Sequence, residues 1–232
     1  ANGKPQGLSE VQSMSAGVAN IAGRSSAAMA MASRVWRPQP CEAACADRCL
    51  RAARSLRAMG PRQDGCLQGI CCGAPYRYDE QPWADDLAYA AAELHKAAEQ
   101  RVDLDDAIRG ARIAAATSWM EIEDSSMGEQ VSRRHQMLPF TNVGHFAPHP
   151  LVGADIQAEL AVYHRAGIEW IVARARANAC GVGIPLLWCS NTLAAALITP
   201  VHLYELMNGD TSFHSAALDH RDWQLGRNPW GT

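Results

Sequence analysis

Leu94-His95-Lys96-Ala97-Ala98-Glu99-Gln100-Arg101-Val102-Asp103-Leu104-Asp105-Asp106-Ala107 overlays Leu203-Tyr204-Glu205-Leu206-Met207-Asn208-Gly209-Asp210-Thr211-Ser212-Phe213-His214-Ser215-Ala216 without a gap. The polar break, the aromatic-sized residue after the first leucine and the following alanine coincide, so a helix–turn–helix unit recurs. Further breaks near Pro38 and Pro150–Asp155 space the turns by roughly 55–60 residues, the length of two helices and two loops. One helical hairpin cannot bury its apolar face alone, so successive hairpins must stack. This is the periodicity of an α/α toroid, and four hairpins do not close a ring of six.

The rest of the chain agrees. Apolar residues recur at three- and four-residue spacing in alanine- and leucine-rich runs, while period-two runs of Val, Ile and Thr are nearly absent, so the class is all-α. The pattern predicts helices over 17–37, 41–59, 83–98, 104–118, 154–178, 188–208 and 212–225. Gly209 sits where a helix C′ residue with positive φ belongs. Pro200 falls inside one predicted helix and is expected to kink or weaken it, and Pro148 with Pro150 is expected to interrupt another helical region.

Composition narrows the function. Of 232 residues 48% are hydrophobic and 19% charged, with a formal net charge of −3, the profile of a folded, mildly acidic protein. Lys+Arg 21 against Asp+Glu 24, with no basic tract longer than Arg133-Arg134, gives no surface for phosphates, so nucleic acid is not an expected partner. No apolar run approaches the ~18 residues of a spanning helix, so no membrane is expected either. The chain opens Ala1-Asn2-Gly3-Lys4, without Met or a secretory h-region, and reads as an excerpt of a longer protein.

Six of the eight cysteines fall between Cys41 and Cys72. Cys41, Cys45 and Cys49 recur at i, i+4, i+8 on one helix face, where they could join Cys66 or Cys71-Cys72 around a soft metal. Cys-x2-Cys knuckles are absent, and packing of small thiols in an alanine-rich helix is the reading preferred over metal or disulfide. The eight histidines make no His-Glu-x-x-His pairing, and no Gly-x-Ser-x-Gly, P-loop or Rossmann fingerprint occurs.

Two long connections, 60–82 and 119–140, are where chemistry is expected. Tyr76, Tyr78 and Trp83 cluster in a Gly/Pro loop before a helix, as a sugar-stacking platform or as plain packing. Asp85-Asp86 open that helix, where its dipole alone explains one carboxylate. Adjacent on a helix they point apart, so they are poor candidates for an acid/base pair. Glu121, Glu123, Asp124 and Glu129 read as a solvated loop.

Gly181-Val182-Gly183-Ile184-Pro185-Leu186-Leu187-Trp188-Cys189-Ser190-Asn191, Asp222-Trp223-Gln224-Leu225-Gly226-Arg227-Asn228-Pro229 and Trp83-Ala84-Asp85-Asp86 closely resemble glycoside hydrolase family 9, the inverting endoglucanases and related cellulases. The resemblance runs from Gly17 to Gly231. It implies an (α/α)6 barrel, incomplete here, with residues 1–232 as a partial catalytic domain, a β-glucan as ligand, no cofactor, no metal, and an extracellular or periplasmic parent enzyme. By resemblance the substrate-site residues are Tyr76, Tyr78, Trp83, Asp86, Asn142, His145, Trp188, Asn191 and Asn228. Thr141-Asn142 stands where the family more often has Trp-Asp, and Asn228-Pro229 shapes the cleft floor. The family's Asp-Ala-Gly-Asp motif, which activates water, and its acid glutamate have no counterpart in this chain, so no catalytic residue is assigned and the fragment is expected to be silent. The alternative is a non-catalytic α/α scaffold that binds glycan or protein through the same concave face, and a cysteine–metal helical protein is a more distant rival.

Overall fold

The structure, a computed structural model, describes residues 17–40, 42–65, 83–116, 147–177, 179–184 and 190–231. Among the described residues there is no strand. The described residues form seven α-helices: α1 (Ala19–Trp36), α2 (Ala43–Met59), α3 (Ala84–Ala98), α4 (Arg101–Ala116), α5 (Ala154–Arg176), α6 (Ser190–Asn208) and α7 (His214–Gln224). Each coincides with one predicted helix, mostly within three residues. The chain divides into two compact units, residues 1–114 and 115–232.

In the first unit α1 packs on both α2 and α3. The contact is made by small residues. Ala22, Ser26, Ala27, Ala30 and Ser33 of α1 are buried, as are Ala84, Ala88, Ala91 and Ala92 of α3. Alanine has high helix propensity and a short side chain, so an alanine-lined face lets two helix backbones approach closely. Gly23 marks the limit of that approach, since a Cβ there would stand 2.6 Å from the Asp86 carbonyl. Gly110 does the same for α4, where a Cβ would lie 2.9 Å from the Ala88 side chain. Ala30, Ala53 and Leu94 form a small core where α1, α2 and α3 meet. The buried Ser26 hydroxyl donates to the Ala53 carbonyl at 2.8 Å, which satisfies a polar atom that the close packing shuts off from water. The first free N–H groups of α1 are met by the segment after α2: Val18 N donates to the Gln63 carbonyl and Ala19 N to that of Gly65, both at 2.9 Å.

The α3–α4 turn is tighter than expected. Helix α4 begins at Arg101, not Leu104, because Glu99 takes a left-handed conformation (φ 54°) and its N–H donates to the His95 carbonyl at 2.7 Å. The α6–α7 turn uses the same closure one position later. Gly209, at φ 74°, donates to the Glu205 carbonyl at 2.8 Å, the C′ role assigned to it, before a longer connection leads to α7. The sequence repeat therefore marks two real hairpins with turns of unequal length.

In the second unit α5 packs on α6 and α6 on α7. Leu160, Ala161, His164, Gly167, Ile168, Ile171 and Val172 form the buried stripe of α5, at the spacing of one helix face. Leu197, Val201 and Tyr204 of α6 are buried, with Phe213 and Trp223 beyond them. Tyr204 and Phe213 rings lie 5.4 Å apart, and the Tyr204 hydroxyl donates to Asp210 at 2.6 Å. Helix α6 runs unbroken through Pro200. Pro148 and Pro150 do not interrupt a helix: they shape a 3-10 turn at His149–Leu151 just before α5, where a missing N–H is harmless at a helix start.

The tight contact at Gly23 makes a direct prediction. Gly23→Ala places a methyl against backbone that cannot yield, and should lower unfolding stability by about 1–3 kcal/mol. Gly153→Ala, where a Cβ meets nothing within 4 Å, should stay close to wild type. Equal urea midpoints for the two variants would refute the close approach.

Candidate functional site

Of the nine residues expected at a sugar site, Tyr76, Tyr78, Asn142, His145 and Trp188 lie outside the described residues, as do Cys41, Cys66, Cys71-Cys72 and the acidic loop 121–129. Trp83 and Asp86 belong to the first unit, Asn191 and Asn228 to the second.

Trp83 is the half-buried N-cap residue of α3, its carbonyl accepting from Leu87 N at 3.2 Å. Asp86 ties α1 to α3. It is 1% exposed, and its Oδ1 accepts from Arg24 Nε at 2.7 Å across the α1–α3 contact. This ion pair joins the two helices across their interface. Asp85 is equally buried. Two turns along α3, buried Glu93 binds Arg34 at 2.5 Å and Lys96 at 2.6 Å. The polar face of α3 is thus a seam of ion pairs laid against α1. Sequence reasoning did not single out Arg24, because nothing local marks it as the partner of a residue 62 positions away.

Cys45 and Cys49 stand one helical turn apart, half-buried on α2. Burial and the neighbouring Cys45 both push the Cys49 thiol up, which disfavours the thiolate a metal would need. Among the described residues no group of three His, Cys, Asp or Glu side chains could hold a metal ion.

In the second unit the segment leading to the Trp188–Asn191 element is held firmly at its start. Val182, Gly183 and Ile184 are buried. Gly183 lies against α5 so closely that a Cβ would stand 2.0 Å from the Ile171 carbonyl oxygen. Its N–H donates to His220 Nε2 at 3.0 Å, and His220 Nδ1 lies 2.7 Å from the Ala216 carbonyl. Because a backbone N–H can only donate, Nε2 is the acceptor, and the ring must be neutral with its proton on Nδ1. His220 is one of the seven histidines to which the sequence assigns no role. Asn191 sits exposed in the first turn of α6.

Asn228 is used structurally. Its Nδ2 donates to the Trp223 carbonyl at 2.8 Å and its Oδ1 accepts from Trp230 N at 3.0 Å. With Gly226 at φ 105°, these bonds fold the chain back after α7 and set exposed Trp230 edge-on to buried Trp223, ring centroids 6.4 Å apart. The side chain expected to touch substrate shapes its segment through backbone contacts.

The chain matches the family model for glycosyl hydrolase family 9 over residues 2–232, and it belongs to that family. Among solved structures it is similar to the cellulase Cel9M of C. cellulolyticum, with a TM-score of 0.64 at 21% identity, covering 94% of this chain and 46% of that one. A metagenome-derived glycoside hydrolase family 9 endoglucanase gives a TM-score of 0.62 at 22% identity, covering 90% and 37% respectively. Cel9M in complex with cellobiose gives 0.57 at 21%, covering 93% and 46%. These neighbours show the fold, the (α/α)6 barrel, of which this chain is a part: it spans less than half the length of each. No curated protein matches the chain.

Two predictions rest on these contacts. Burial, reinforced by nearby His149, holds His164 down at about 3, and burial also lowers His220 against the opposing pull of the Ala216 carbonyl and Asp219. Both are depressed below the ordinary value of 6.5, so the stability they contribute is full above pH 6.5. It is lost as pH falls from there, for His164 by about 1.4 kcal/mol per pH unit on the way toward about 3. Urea unfolding at pH 7.5 and pH 5 should show the loss, and His164→Gln should reduce the slope; an unchanged slope would refute its buried neutral state. Asn228→Ala removes two backbone ties and should cost about 1–2 kcal/mol, and an unshifted unfolding midpoint would show them to be idle.

Proposed function

We propose that the protein hydrolyses β-1,4-glucosidic bonds of cellulose or a related β-glucan, by single displacement with inversion, as a family 9 endoglucanase. The family match over residues 2–232 carries this reading. Neighbours described as a cellulase and an endoglucanase, one of them holding cellobiose, support it. Residues 1–232 are the central part of the catalytic domain. Tyr76, Tyr78, Trp83, Asp86, Asn142, His145, Trp188 and Asn191 bind sugar, with Asn228 shaping the cleft floor. The protein works outside the cytoplasm, in the periplasm or extracellular medium. No described helix is long and apolar enough to cross a membrane.

Inversion needs a base to take a proton from water and an acid to protonate the leaving oxygen, two carboxyls about 6.5–9.5 Å apart. Each role contributes about 10²–10⁴-fold, so a chain without the aspartate motif and the acid glutamate is catalytically silent while keeping part of its sugar site.

The full protein, given a soluble β-1,4-glucan, should release the α-anomer first, followed by NMR during the opening minutes. The 232-residue chain alone should release none. Trp188→Ala or Asn191→Ala in the full protein should weaken oligosaccharide binding about tenfold, the cost of one lost stacking or charge-free hydrogen-bond contact. Initial release of the β-anomer would exclude inversion, and absence of cleavage by the full protein would exclude the enzyme in favour of a glycan-binding scaffold.

A further inference from the structure

We propose that Trp230 is a further sugar contact: its indole, at the tip of the turn after α7, stacks on the apolar face of a glucosyl unit of the β-glucan. The inference rests on the functional reading above, which makes a β-glucan the ligand, and adds to it a side chain to which the sequence motifs give no role.

The backbone beneath the indole is held before any ligand arrives. Asn228-Pro229-Trp230-Gly231 closes as a β-turn, with Gly231 N donating to the Asn228 carbonyl at 3.1 Å. Pro229 stands at the second position of that turn, where its fixed φ is favoured and no N–H is needed. Trp230 N donates to Asn228 Oδ1 at 3.0 Å, an Asx turn nested inside the first. Asn228 Nδ2 fastens the turn to the Trp223 carbonyl at 2.8 Å, and Arg227 N donates to the Asp222 carbonyl at 2.9 Å. Binding therefore has little backbone left to order. The indole itself is 66% exposed. Its ring stands at 85° to the buried ring of Trp223, centroids 6.4 Å apart, and a perpendicular neighbour takes up at most one face of it. A rigid aromatic face open to water suits a β-linked glucosyl unit, whose hydroxyls are all equatorial and whose two faces carry axial C–H bonds. The surroundings fit the same ligand. Arg227, three residues before Trp230, pairs with Asp219 at 3.0 Å on the surface, and such a pair offers donors and acceptors to the hydroxyls round a sugar's rim. Leu225 is the only other large apolar side chain exposed among the described residues of α7 and this turn. Two apolar residues amid charges are too small a patch for the apolar centre of a protein interface, whereas one indole matches one sugar ring.

The test uses the full protein and a soluble cello-oligosaccharide with sulfur in place of the glycosidic oxygens, which binds without being cleaved. By calorimetry Trp230→Ala should raise Kd about tenfold, and Trp230→Tyr, which keeps an aromatic face, should stay within about threefold of wild type. NMR should show contacts between the Trp230 ring protons and the axial protons of a bound glucosyl unit, the ring signals being assigned by their loss in Trp230→Tyr. A residue that merely packs on Trp223 would give no such contacts. Should the alanine variant fail to fold, the wild-type contacts and the Kd of Trp230→Tyr decide alone, and missing contacts or a Kd raised tenfold there overturn the proposal. An unchanged Kd in Trp230→Ala, or a Trp230 ring whose contacts are to the protein's own chain and not to sugar, overturns it while leaving the enzyme assignment intact. A wild-type protein that neither binds the thio-linked oligosaccharide nor cleaves the natural one overturns the functional reading itself, and the sugar contact falls with it.

Discussion

The close approach of helix backbones over small residues is the constraint on which the rest of this structure depends. At Gly23 no side-chain atom fits between α1 and the Asp86 backbone, and at Gly183 none fits between the segment before α6 and α5. Helices that meet at this distance gain many short van der Waals contacts, each small, from alanines that give up no rotamer freedom on burial. The same closeness excludes water, so every polar atom caught at the contact must find its partner inside the protein.

That requirement explains which polar residues stand where. Ser26 bonds to a carbonyl of α2, Asp86 to Arg24 of α1, Glu93 to Arg34 and Lys96, and His220 to Gly183. Ion pairs so placed contribute modestly to net stability, because desolvation offsets much of the Coulomb attraction. Their stronger effect is on register, since a helix that slid by one turn would leave a buried charge alone. In the first unit the seam fixes α3 on α1. In the second, one neutral imidazole does the equivalent work for a loop.

Much of the fold was legible in the sequence. Seven helices, the hairpin repeat at Leu94 and Leu203, and the C′ role of Gly209 were read from periodicity and turn chemistry, which depend on residues within a few positions of one another. The early start of α4 was missed because Glu99, unlike glycine, carries no local mark of a left-handed turn. The candidate site was less legible. Trp83 and Asn191 stand at helix starts as the periodicity places them, while the ties of Asp86 to Arg24 and of Asn228 to the backbone became visible only in the fold.

The sequence by itself determined the helical class, the family and the set of side chains from which a sugar site could be drawn. Only the tertiary structure decided which polar residues hold the helices together. The physical reason is range. Helical periodicity is written within four residues, but Arg24 meets Asp86 across 62 positions and Gly183 meets His220 across 37, and no local pattern records those meetings. A carboxylate or an imidazole looks the same in the chain whether it will bind substrate or be sealed against a neighbouring helix, and the packing of glycine and alanine faces makes that choice.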